Sequence, residues 1–451
     1  SGAYTIANQP YKVKVNSTSG LIGTSTAAIG FAVGWTTAAD ADLDFDITAS
    51  TTRTLAGTDG GGGTNRTFSI SPLSAVQALP AKVGGGTLVL TGSTGDITGQ
   101  IAADQDGVTT TVTFRLTDNA TGLFTDRDIN IKGSSELYTM AFPFTFTNAD
   151  GVGRTGPTIT QLRTAYSSDN WTYANASGGP FLLATTQGIQ EWTVPKNGTY
   201  RIEAFGARGG NAYGLTGGEG VKMRGDFNFT RGQVVKILVG QKGRNVEPVI
   251  NNGDGKNSAG GGGTFVFSSA TDTYPLIAAG GGGGVSMNSA SSRRHATTAT
   301  SGQAGTNADG VAVGSSGGTS GNKGDNSTYN YGAGVGGGWL TQYSYTSPGH
   351  TSYTVTSGVG PRGGGQGGYG GGGSNTIQKD ERQGGFGGGG GGAGAQSTSG
   401  SGGGGGYSGG GVGNDCCTSH GGGGGSYNSG SNPANSTQSN TGHGYVIVTL
   451  L

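Results

Sequence analysis

The chain has few cysteines, prolines and charged residues for its length of 451 residues. It holds only 2 Cys, so disulfides do not form its framework. Lys+Arg and Asp+Glu are both 26, and a chain of zero net charge lacks the basic surface that nucleic-acid binding needs. No apolar run approaches the roughly 18 residues of a membrane-spanning helix. With 12 Pro and no Gly-X-Y period, a collagen-like triple helix is also excluded.

Glycine is what the chain has in excess. Of its 100 Gly, about three quarters follow position 206, whereas ordinary proteins contain about 7% Gly. Several runs consist of glycine alone: 260–263, 280–284, 370–373, 387–392, 402–406 and 421–425. A flexible glycine/serine linker is one interpretation of this region, and a packed array of glycine helices is the other.

The energetics of glycine separate the two interpretations. Glycine loses more backbone freedom than any other residue, so ordering this region opposes folding by about 100 kcal/mol. Only a structure that satisfies nearly every backbone N–H and C=O could offset such a term. Helices of the polyproline-II type, with three residues per turn, can donate and accept outward to several neighbours. Only glycine lets their backbones touch on every side.

The surroundings of the glycine runs favour the ordered array. Apolar, strand-like pieces interrupt the region at 221–229, 234–239, 264–267 and 274–279, and the chain ends in another at 444–450. A free tail would not return to a sheet. We therefore predict a rigid, hydrogen-bonded bundle.

Residues 1–133 have the pattern of an all-β domain. Alternating or β-branched stretches separated by turn residues predict strands at 11–15, 67–70, 87–90, 108–116 and 128–131. The closing part, 111–131, resembles the final hairpin of cadherin-like and immunoglobulin-like repeats. We therefore expect an immunoglobulin/cadherin-like β-sandwich over 1–133, followed by a linker at 134–138.

The next stretch predicts strands and one short helix. The alternating aromatics Phe142, Phe144 and Phe146 favour a strand within 139–147. A helix is expected after Pro157, because apolar residues follow it at helical spacing. Strands at 190–194 and 199–205 flank a four-residue loop, 195–198, which predicts that they form a hairpin.

From position 140 to the end, the chain resembles the ligand-binding ectodomain of the anaplastic lymphoma kinase and leukocyte tyrosine kinase receptors. The matching motifs keep their order along the chain: Phe144–Thr–Phe–Thr147, Gly188–Ile–Gln–Glu–Trp–Thr–Val–Pro195, Ile237–Leu–Val–Gly–Gln–Lys–Gly243, Gly260–Gly–Gly–Gly–Thr–Phe–Val–Phe267, Pro275–Leu–Ile–Ala–Ala–Gly280 and Gly406–Tyr–Ser–Gly–Gly410. The resemblance implies a tumour-necrosis-factor-like β-jelly roll with an inserted bundle of polyglycine helices. We accordingly expect jelly-roll strands at 139–279, the glycine-rich insertion at 280–442 and a closing strand at 443–451.

The resemblance supports the fold rather than receptor signalling. Most of the receptors' cysteines, their membrane span and their kinase have no counterpart here. Segments such as Gly442–His–Gly–Tyr–Val–Ile–Val448 also look like marine bacteriophage fibre and tail proteins. The expected function is therefore a phage tail fibre, tail-tip adhesin or virion structural protein.

This function implies particular partners and a location. The expected partners are a host cell-surface glycan or protein and other fibre subunits in a homo-oligomer, with no nucleic acid and no membrane insertion. The expected location is the virion tail or the extracellular space. The alternative is an extracellular cell-surface or matrix protein that binds a protein ligand or assembles into a filament.

Recognition is expected in loops at the ends of the bundle, since rigid scaffolds commonly display binding residues on loops. The most aromatic insertion supplies the candidate contacts: Tyr329, Tyr331, Trp339, Tyr343, Tyr345, His350 and Tyr353. Aromatic rings give large contact areas that stack on sugars or on partner side chains. The alternative is that these residues cap a hydrophobic edge of the array.

Asp40, Asp42 and Asp44 alternate along the chain. On a strand they would share one face and repel one another unless they are solvated or bridged by a cation. A cadherin-type Ca²⁺ site is therefore one interpretation, and solvated carboxylates are the other. No other cofactor is expected.

No catalytic residues are expected. Ser316 and Ser408 lie in Gly-x-Ser-x-Gly patterns, which arise by chance where one residue in about three is glycine, and neither lies between a strand and a helix. Cys416 and Cys417, with His420 three positions further on, could be half of a soft-metal site, but the sequence shows no set of four good ligands. A vicinal disulfide or two small buried thiols are the other interpretations.

Overall fold

A computed structural model describes most of the chain. The described residues are 3–5, 12–14, 33–47, 50–134, 136–173, 180–246, 257–286, 291–306, 315–325, 332–346, 355–371, 382–394, 400–413 and 419–451. They form two units, Ser1–Leu137 and Tyr138–Leu451. Both are built from β-strands, so the all-β fold class is confirmed. No helix among these residues is long and apolar enough to cross a bilayer.

Alternating side chains make the strands of the first unit. They are β1 (Ala3–Thr5), β2 (Lys12–Lys14), β3 (Gly34–Trp35), β4 (Ala41–Asp46), β5 (Thr51–Thr54), β6 (Gly57–Thr58), β7 (Arg66–Ile70), β8 (Val89–Thr91), β9 (Asp96–Gly99), β10 (Thr109–Asp118) and β11 (Phe124–Ser134), with a 3-10 helix at Ala103–Gln105.

The first unit is organised around a four-stranded sheet in the order β4-β11-β10-β7 and a three-stranded sheet in the order β5-β9-β8. The predicted closing hairpin is confirmed, since β10 and β11 pair antiparallel from Thr109↔Lys132 to Thr117↔Phe124. The inward-facing residues of both sheets, with Phe45, Phe68 and Phe114 among the largest, form one fully buried cluster. This burial supplies the apolar core that the unit needs.

The second unit contains further strands and a short helix. They are β12 (Phe144–Phe146), α1 (Ile159–Ala165), β13 (Leu182–Leu183), β14 (Ile189–Thr193), β15 (Gly198–Phe205), β16 (Gly220–Phe229), β17 (Val234–Leu238), β18 (Thr264–Phe267), β19 (Ile277–Ala279), β20 (Tyr427–Asn428), β21 (Ser436–Asn440) and β22 (Tyr445–Leu450). Three 3-10 helices lie at Asn170–Thr172, Ser292–Arg294 and Pro361–Gly363.

Helix α1 begins where the sequence indicated. Thr158 accepts a hydrogen bond from the Gln161 backbone, and the Gln161 side chain accepts one from the Thr158 backbone, which makes a capping box. The helix buries Leu162 on its inner face.

Two antiparallel sheets form the frame of the second unit. One has the order β12-β22-β15-β16-β21, and the other has the order β13-β14-β17-β18-β19-β20. Aromatic rings pack between strands of both sheets, as where Trp192 meets Tyr200 at 5.6 Å and Phe146 at 5.9 Å between ring centroids. The chain's final strand, β22, pairs with both β12 and β15.

One predicted pairing is wrong. Strands β14 and β15 do not form a hairpin, because β14 pairs with β17 in one sheet and β15 pairs with β16 and β22 in the other. The short loop at 195–198 therefore crosses between the sheets. The physical reason is that Trp192 and Tyr200 both need burial, and facing each other from opposite sheets buries both fully.

The glycine segments continue directly from strand ends. Glycine directly follows β15 and β19 and comes one residue after β17, and glycine runs lead directly into β18 and, through Ser426, into β20. We call the glycine-containing segments of this unit the glycine bundle. It begins before position 280, within the region predicted as jelly-roll strands, and β20 and β21 lie inside the predicted 280–442 insertion. The structure therefore interleaves the two predicted regions.

Backbone hydrogen bonds within the glycine bundle repeat every third residue. In the run 402–406 the donors reach three neighbouring segments in turn: Gly402 and Gly405 donate to Ser258 and Gly261, Gly403 and Gly406 to Gly334 and Gly337, and Gly404 to Gly422, at 2.9–3.2 Å. The run 421–425 repeats this pattern towards 281–284, 408–411 and Arg293. Three residues per turn is the period of a polyproline-II-type helix, and the outward-directed bonds join each run to its neighbours.

Side chains are excluded from the interior of this bundle. A Cβ placed on Gly262 would overlap the carbonyl oxygen of Phe386, and one on Gly404 would overlap that of Gly281. Because both obstacles are backbone atoms, no rotamer change could relieve the overlap. Glycine is therefore required by close approach in these runs, and the flexible-linker interpretation does not apply to them.

Candidate binding surface at Tyr343 and Tyr345

The candidate surface lies where the chain leaves one glycine segment and enters the next. The Gly338 backbone donates to Thr341 Oγ1 at 2.9 Å, and the Gly360 backbone donates to the Thr341 carbonyl at 3.0 Å. Further along, Thr346 and Thr356 form an antiparallel bridge. This segment, 339–346, is thus fixed at its base and near its tip by hydrogen bonds to its neighbours.

Trp339 lies beneath this surface rather than on it. Its side chain is 0% exposed and packs with Phe265 and Phe267, and its indole N–H donates to the carbonyls of Asp272 and Thr273 at 3.2 and 3.1 Å. The use of Trp339 as a contact residue is therefore wrong. Trp339 instead caps a hydrophobic edge, which was the alternative interpretation. Burying its large apolar ring where strands meet glycine segments is more favourable than exposing the ring to water.

Tyr343 and Tyr345 lie on the outside. Their exposed fractions are 71% and 47%, unusually high for such large rings. The Tyr345 backbone is held in place, since its N–H donates to Ser357 Oγ at 2.8 Å and its carbonyl accepts from the Ser357 N–H at 2.9 Å. The rings are thus displayed on a segment whose backbone is anchored.

A shallow depression of about 250 Å³ adjoins the two rings. We call it the tyrosine groove. It is lined by Asn322, Lys323, Leu340, Thr341, Gln342, Tyr343 and Tyr345. Its polar groups are amides, a hydroxyl and an ammonium, and its apolar surface is aromatic and aliphatic.

Lys323 gives the tyrosine groove a positive charge. Its Nζ lies 4.8 Å from the centroid of the Tyr345 ring, a cation–π contact. Burial lowers the pKa of the Lys323 ammonium, and the charge of Asp325 opposes that shift. The groove therefore offers both a ring face and a basic amine.

The chemistry of the tyrosine groove suits binding. Ring faces stack on the apolar faces of sugars or on side chains, and the Asn322 and Gln342 amides can both donate and accept.

The remaining residues predicted for this surface cannot be placed with it. Tyr329, Tyr331, His350 and Tyr353 lie outside the described residues, as do Cys416 and Cys417. Of the residues predicted for this surface, Tyr343 and Tyr345 thus lie together on it, and Trp339 is buried beneath it.

Sequence reasoning missed Lys323 and its neighbour Asn322. They follow a turn at Ser320 and Gly321, where Gly321 has φ +86°. About 20 positions separate them from Tyr345, so no local pattern links them to the tyrosines. The available signal was that Lys323 is a rare cation within the glycine-rich region.

The three alternating aspartates of the first unit lie in or beside strand β4. Asp42 accepts a hydrogen bond from Asn130 Nδ2 at 3.0 Å, and burial raises the pKa of Asp44 while Lys132 and Arg53 lower it. Asp40 and Asp42 are exposed. Among the described residues, no three His, Cys, Asp or Glu side chains are placed to hold a metal ion. The exposure of Asp40 and Asp42 is consistent with solvated carboxylates, and the Ca²⁺ site at Asp40, Asp42 and Asp44 stays a prediction.

Ser408, in one of the Gly-x-Ser-x-Gly patterns, is fully buried. Its hydroxyl accepts a hydrogen bond from the Gly321 backbone at 3.1 Å, and its carbonyl accepts one from Gly425 at 2.8 Å. The side chain therefore helps to join glycine segments. This position differs from that of a catalytic serine in a Gly-x-Ser-x-Gly motif, which is exposed at a turn between a strand and a helix.

Comparisons with known proteins give limited matches. No family model matches the chain. The leukocyte tyrosine kinase receptor of Mus musculus is 36% identical over 108 residues, which are 24% of this chain and 12% of the receptor. The match thus spans about an eighth of the receptor's length. Among solved structures, the extracellular cadherin domains 1–5 of protocadherin gamma B2 align over 54% of this chain and 48% of that one, at 11% identity and a TM-score of 0.18. A TM-score this low does not indicate a shared fold, so the sequence match to the receptor is the informative one.

Proposed function

We propose that this protein is a non-enzymatic attachment protein that binds a cell-surface glycan or protein through the tyrosine groove. In its more specific form, the proposal is a bacteriophage tail fibre or tail-tip adhesin that attaches the virion tail to its host. Such a protein would act outside the cell, as a homo-oligomer with other fibre subunits as neighbours.

The observation that carries the proposal is the display of two exposed tyrosines on an anchored backbone. Tyr343 and Tyr345 are exposed, and Ser357 fixes the segment from which they project. Preordered aromatic rings lose little conformational entropy on binding, so they make efficient contacts. The hydrogen-bonded glycine bundle supplies the rigid support.

The shape of the tyrosine groove favours a shallow, repeating ligand. A depression of about 250 Å³ falls below the range of about 300–1,000 Å³ for pockets that enclose a drug-sized molecule. A sugar chain needs only ring faces for stacking and amides for its hydroxyls, and the groove offers both. A surface glycan is therefore the ligand that we favour.

The similarity to a receptor supports a second candidate function. The mouse relative is a receptor by name, and the matched region covers about a quarter of this chain. Under this alternative the protein is an extracellular cell-surface or matrix protein that binds a protein ligand. Removal of surface glycans from the target cell would abolish binding if the ligand is the surface glycan that we favour, and it would leave binding to a protein ligand unchanged.

The test combines binding with stability. The double variant Tyr343→Ala/Tyr345→Ala is expected to bind host cells or surface glycan at least about tenfold more weakly, the loss typical of interface hot spots. Its melting temperature should stay within about 2 °C of the wild type, because exposed residues contribute little to stability. Binding is measured by cell pull-down and glycan titration.

Two further variants serve as controls for the double tyrosine variant. Phe124→Ala removes an exposed aromatic ring from the first unit, so it should not change binding. Trp339→Ala instead empties a buried site and should destabilise the second unit by about 3–5 kcal/mol. Unchanged binding by the double tyrosine variant would refute the assignment of the tyrosine groove.

A further inference from the structure

A cluster of basic side chains lies on the second unit, on residues separate from the tyrosine groove. Arg208 follows β15, Lys242 and Arg244 follow β17, and His443 lies between β21 and β22. We call these four residues the cation cluster. Their segments are adjacent, because the Gly243 backbone donates to the Arg208 carbonyl at 3.1 Å and the Arg208 backbone donates to Gly442 at 2.9 Å.

The cation cluster is held together by backbone contacts rather than by acidic partners. Within the described part of the chain, none of Arg208, Lys242 and Arg244 forms an ion pair. Elsewhere in the same unit the usual pairing occurs, as between Arg201 and Asp226 at 2.8 Å. The cations of the cluster are therefore left without the carboxylates that normally accompany such groups.

Two carboxylates act on the cluster from longer range. Glu219 raises the pKa of Arg208, and Asp150 raises that of His443. Both effects are outweighed by burial, which is the largest influence on each group and lowers its pKa. Arg294 also lies near Glu219. Positive charge thus remains in excess at the cluster.

Folding brings these like charges together in a half-buried place. Burial lowers the pKa of Lys242, and the neighbouring Arg208 lowers it further. The Nε atoms of Arg208 and Arg244 are buried without a hydrogen-bond partner. Unpaired donors and adjacent cations destabilise a fold unless something compensates them.

His443 is arranged to donate as well. Its Nδ1 accepts the backbone N–H of Lys242 at 3.1 Å, so the neutral ring carries its proton on Nε2. Burial, and after it the charge of Lys242, lowers the pKa of His443, which disfavours the protonated ring. The cluster therefore presents two guanidinium groups, one ammonium and one imidazole N–H, all of them donors.

We propose that Arg208, Lys242, Arg244 and His443 form a binding site for an oxyanion, the sulfate or carboxylate group of an acidic ligand. Guanidinium groups bind such oxygens in a two-point geometry, and the ammonium adds a point charge. The anion would reduce the repulsion between the cations. This site does not depend on the function proposed for the tyrosine groove.

The test uses the full chain at low ionic strength in a chloride buffer. Sodium sulfate, dextran sulfate and polygalacturonate are titrated by calorimetry, with uncharged dextran as the polymer control. Arg208→Gln and Lys242→Gln should each weaken binding about tenfold, the loss for one charged hydrogen bond. Lys82→Gln removes one positive charge from the first unit and should change nothing.

A stability measurement separates binding from a structural role. Without added anion, Lys242→Gln should keep or raise the melting temperature, because it removes repulsion. Sulfate should raise the melting temperature of the wild type more than that of the variant. A lowered melting temperature in Lys242→Gln without anion would indicate a structural role and contradict the proposal.

Comparing the titrations with inorganic sulfate and with the charged polymers identifies the source of the anion. Binding of inorganic sulfate that the variants weaken supports a site for the free group, and binding only of the charged polymers supports a site for an acidic polysaccharide. Equal weakening by Lys82→Gln would show unspecific attraction and overturn the proposal. So would the absence of binding by every charged probe.

Discussion

At the scale of single residues, close backbone approach rather than conformational freedom requires the glycines of the bundle. A Cβ on Gly262 would overlap the Phe386 carbonyl, which cannot move because it also accepts the Gln241 backbone N–H at 2.8 Å. At Gly442, by contrast, the nearest atom to an added Cβ is Asn440 Oδ1 at 3.6 Å, an ordinary contact. The two positions differ in the space around them.

Gly262→Ala is therefore expected to destabilise the second unit by about 3 kcal/mol or more, as over-packing does when no side chain can yield. Gly442→Ala, the matched control, should stay within about 0.5 kcal/mol of the wild type. Chemical denaturation of both variants measures the difference. Equal stability of the two variants would mean that the bundle is looser than its hydrogen bonds indicate.

At the scale of elements, the glycine runs behave as helices that have no hydrogen bonds of their own and depend on neighbours. The run 421–425 donates to three surrounding segments, so each segment stabilises several others. A helix of this kind has no stability in isolation. The order of the bundle must therefore be cooperative.

Hydrogen exchange tests this cooperativity. The backbone amides of 402–406 and 421–425 should exchange slowly and with similar protection, because opening one run breaks bonds to several others. Gly84–Gly86, a turn in the first unit with φ from +78° to +90°, provides three exposed consecutive glycines for comparison. Exchange of the bundle amides at the rate of this turn would contradict a hydrogen-bonded array.

At the scale of the whole molecule, the response to pH follows from two half-buried histidines in a chain of zero net charge. His295 accepts the Glu219 backbone N–H through Nδ1 at 3.1 Å. Burial, with a further contribution from Arg294, lowers the pKa of His295 to about 4. The pKa of His443 is lowered as well, first by burial and then by Lys242. Both histidines therefore resist protonation in the folded state.

The second unit is accordingly expected to lose stability as the pH falls from about 6.5 to about 4. In that range the unfolded chain binds protons that folded His295 does not, so acid favours unfolding. Above pH 6.5 the contribution is fully present. His295→Asn, whose side-chain oxygen can still accept from Glu219, should flatten the melting-temperature profile between pH 4 and 7. An unchanged slope in that variant would exclude His295 as the source.

Local patterns predicted most strands, because the alternation of apolar and polar side chains that marks a strand involves only neighbouring residues. The strands at 220–229, 264–267 and 445–450 lie within one or two positions of their predicted ranges, and helix α1 follows Pro157 as expected. Partners were harder to predict. The loop at 195–198 looked like a hairpin turn, yet β14 joined β17, since pairing depends on which residues are buried together.

For the candidate site, too, local sequence predicted the segment but not which residues meet in the fold. Aromatic content pointed to the segment that contains Tyr343 and Tyr345, but it could not separate them from Trp339, which is fully buried. The only signal for Lys323 was that cations are rare in the glycine-rich region, and the cation cluster had no signal in the linear pattern. Arg208 and His443 are more than 200 positions apart and meet only through the hydrogen bonds of the folded chain.

The amino-acid sequence by itself determined that this protein is all-β and that its glycine region must be ordered, because strands recur through it and unbonded glycine is too costly to fix. Only the tertiary structure decided which glycine segments are neighbours, which aromatic rings face outward and which cations meet. Backbone groups are identical at every glycine, so the choice among partners comes from the side chains at the strand ends, where packing brings distant parts of the chain into register.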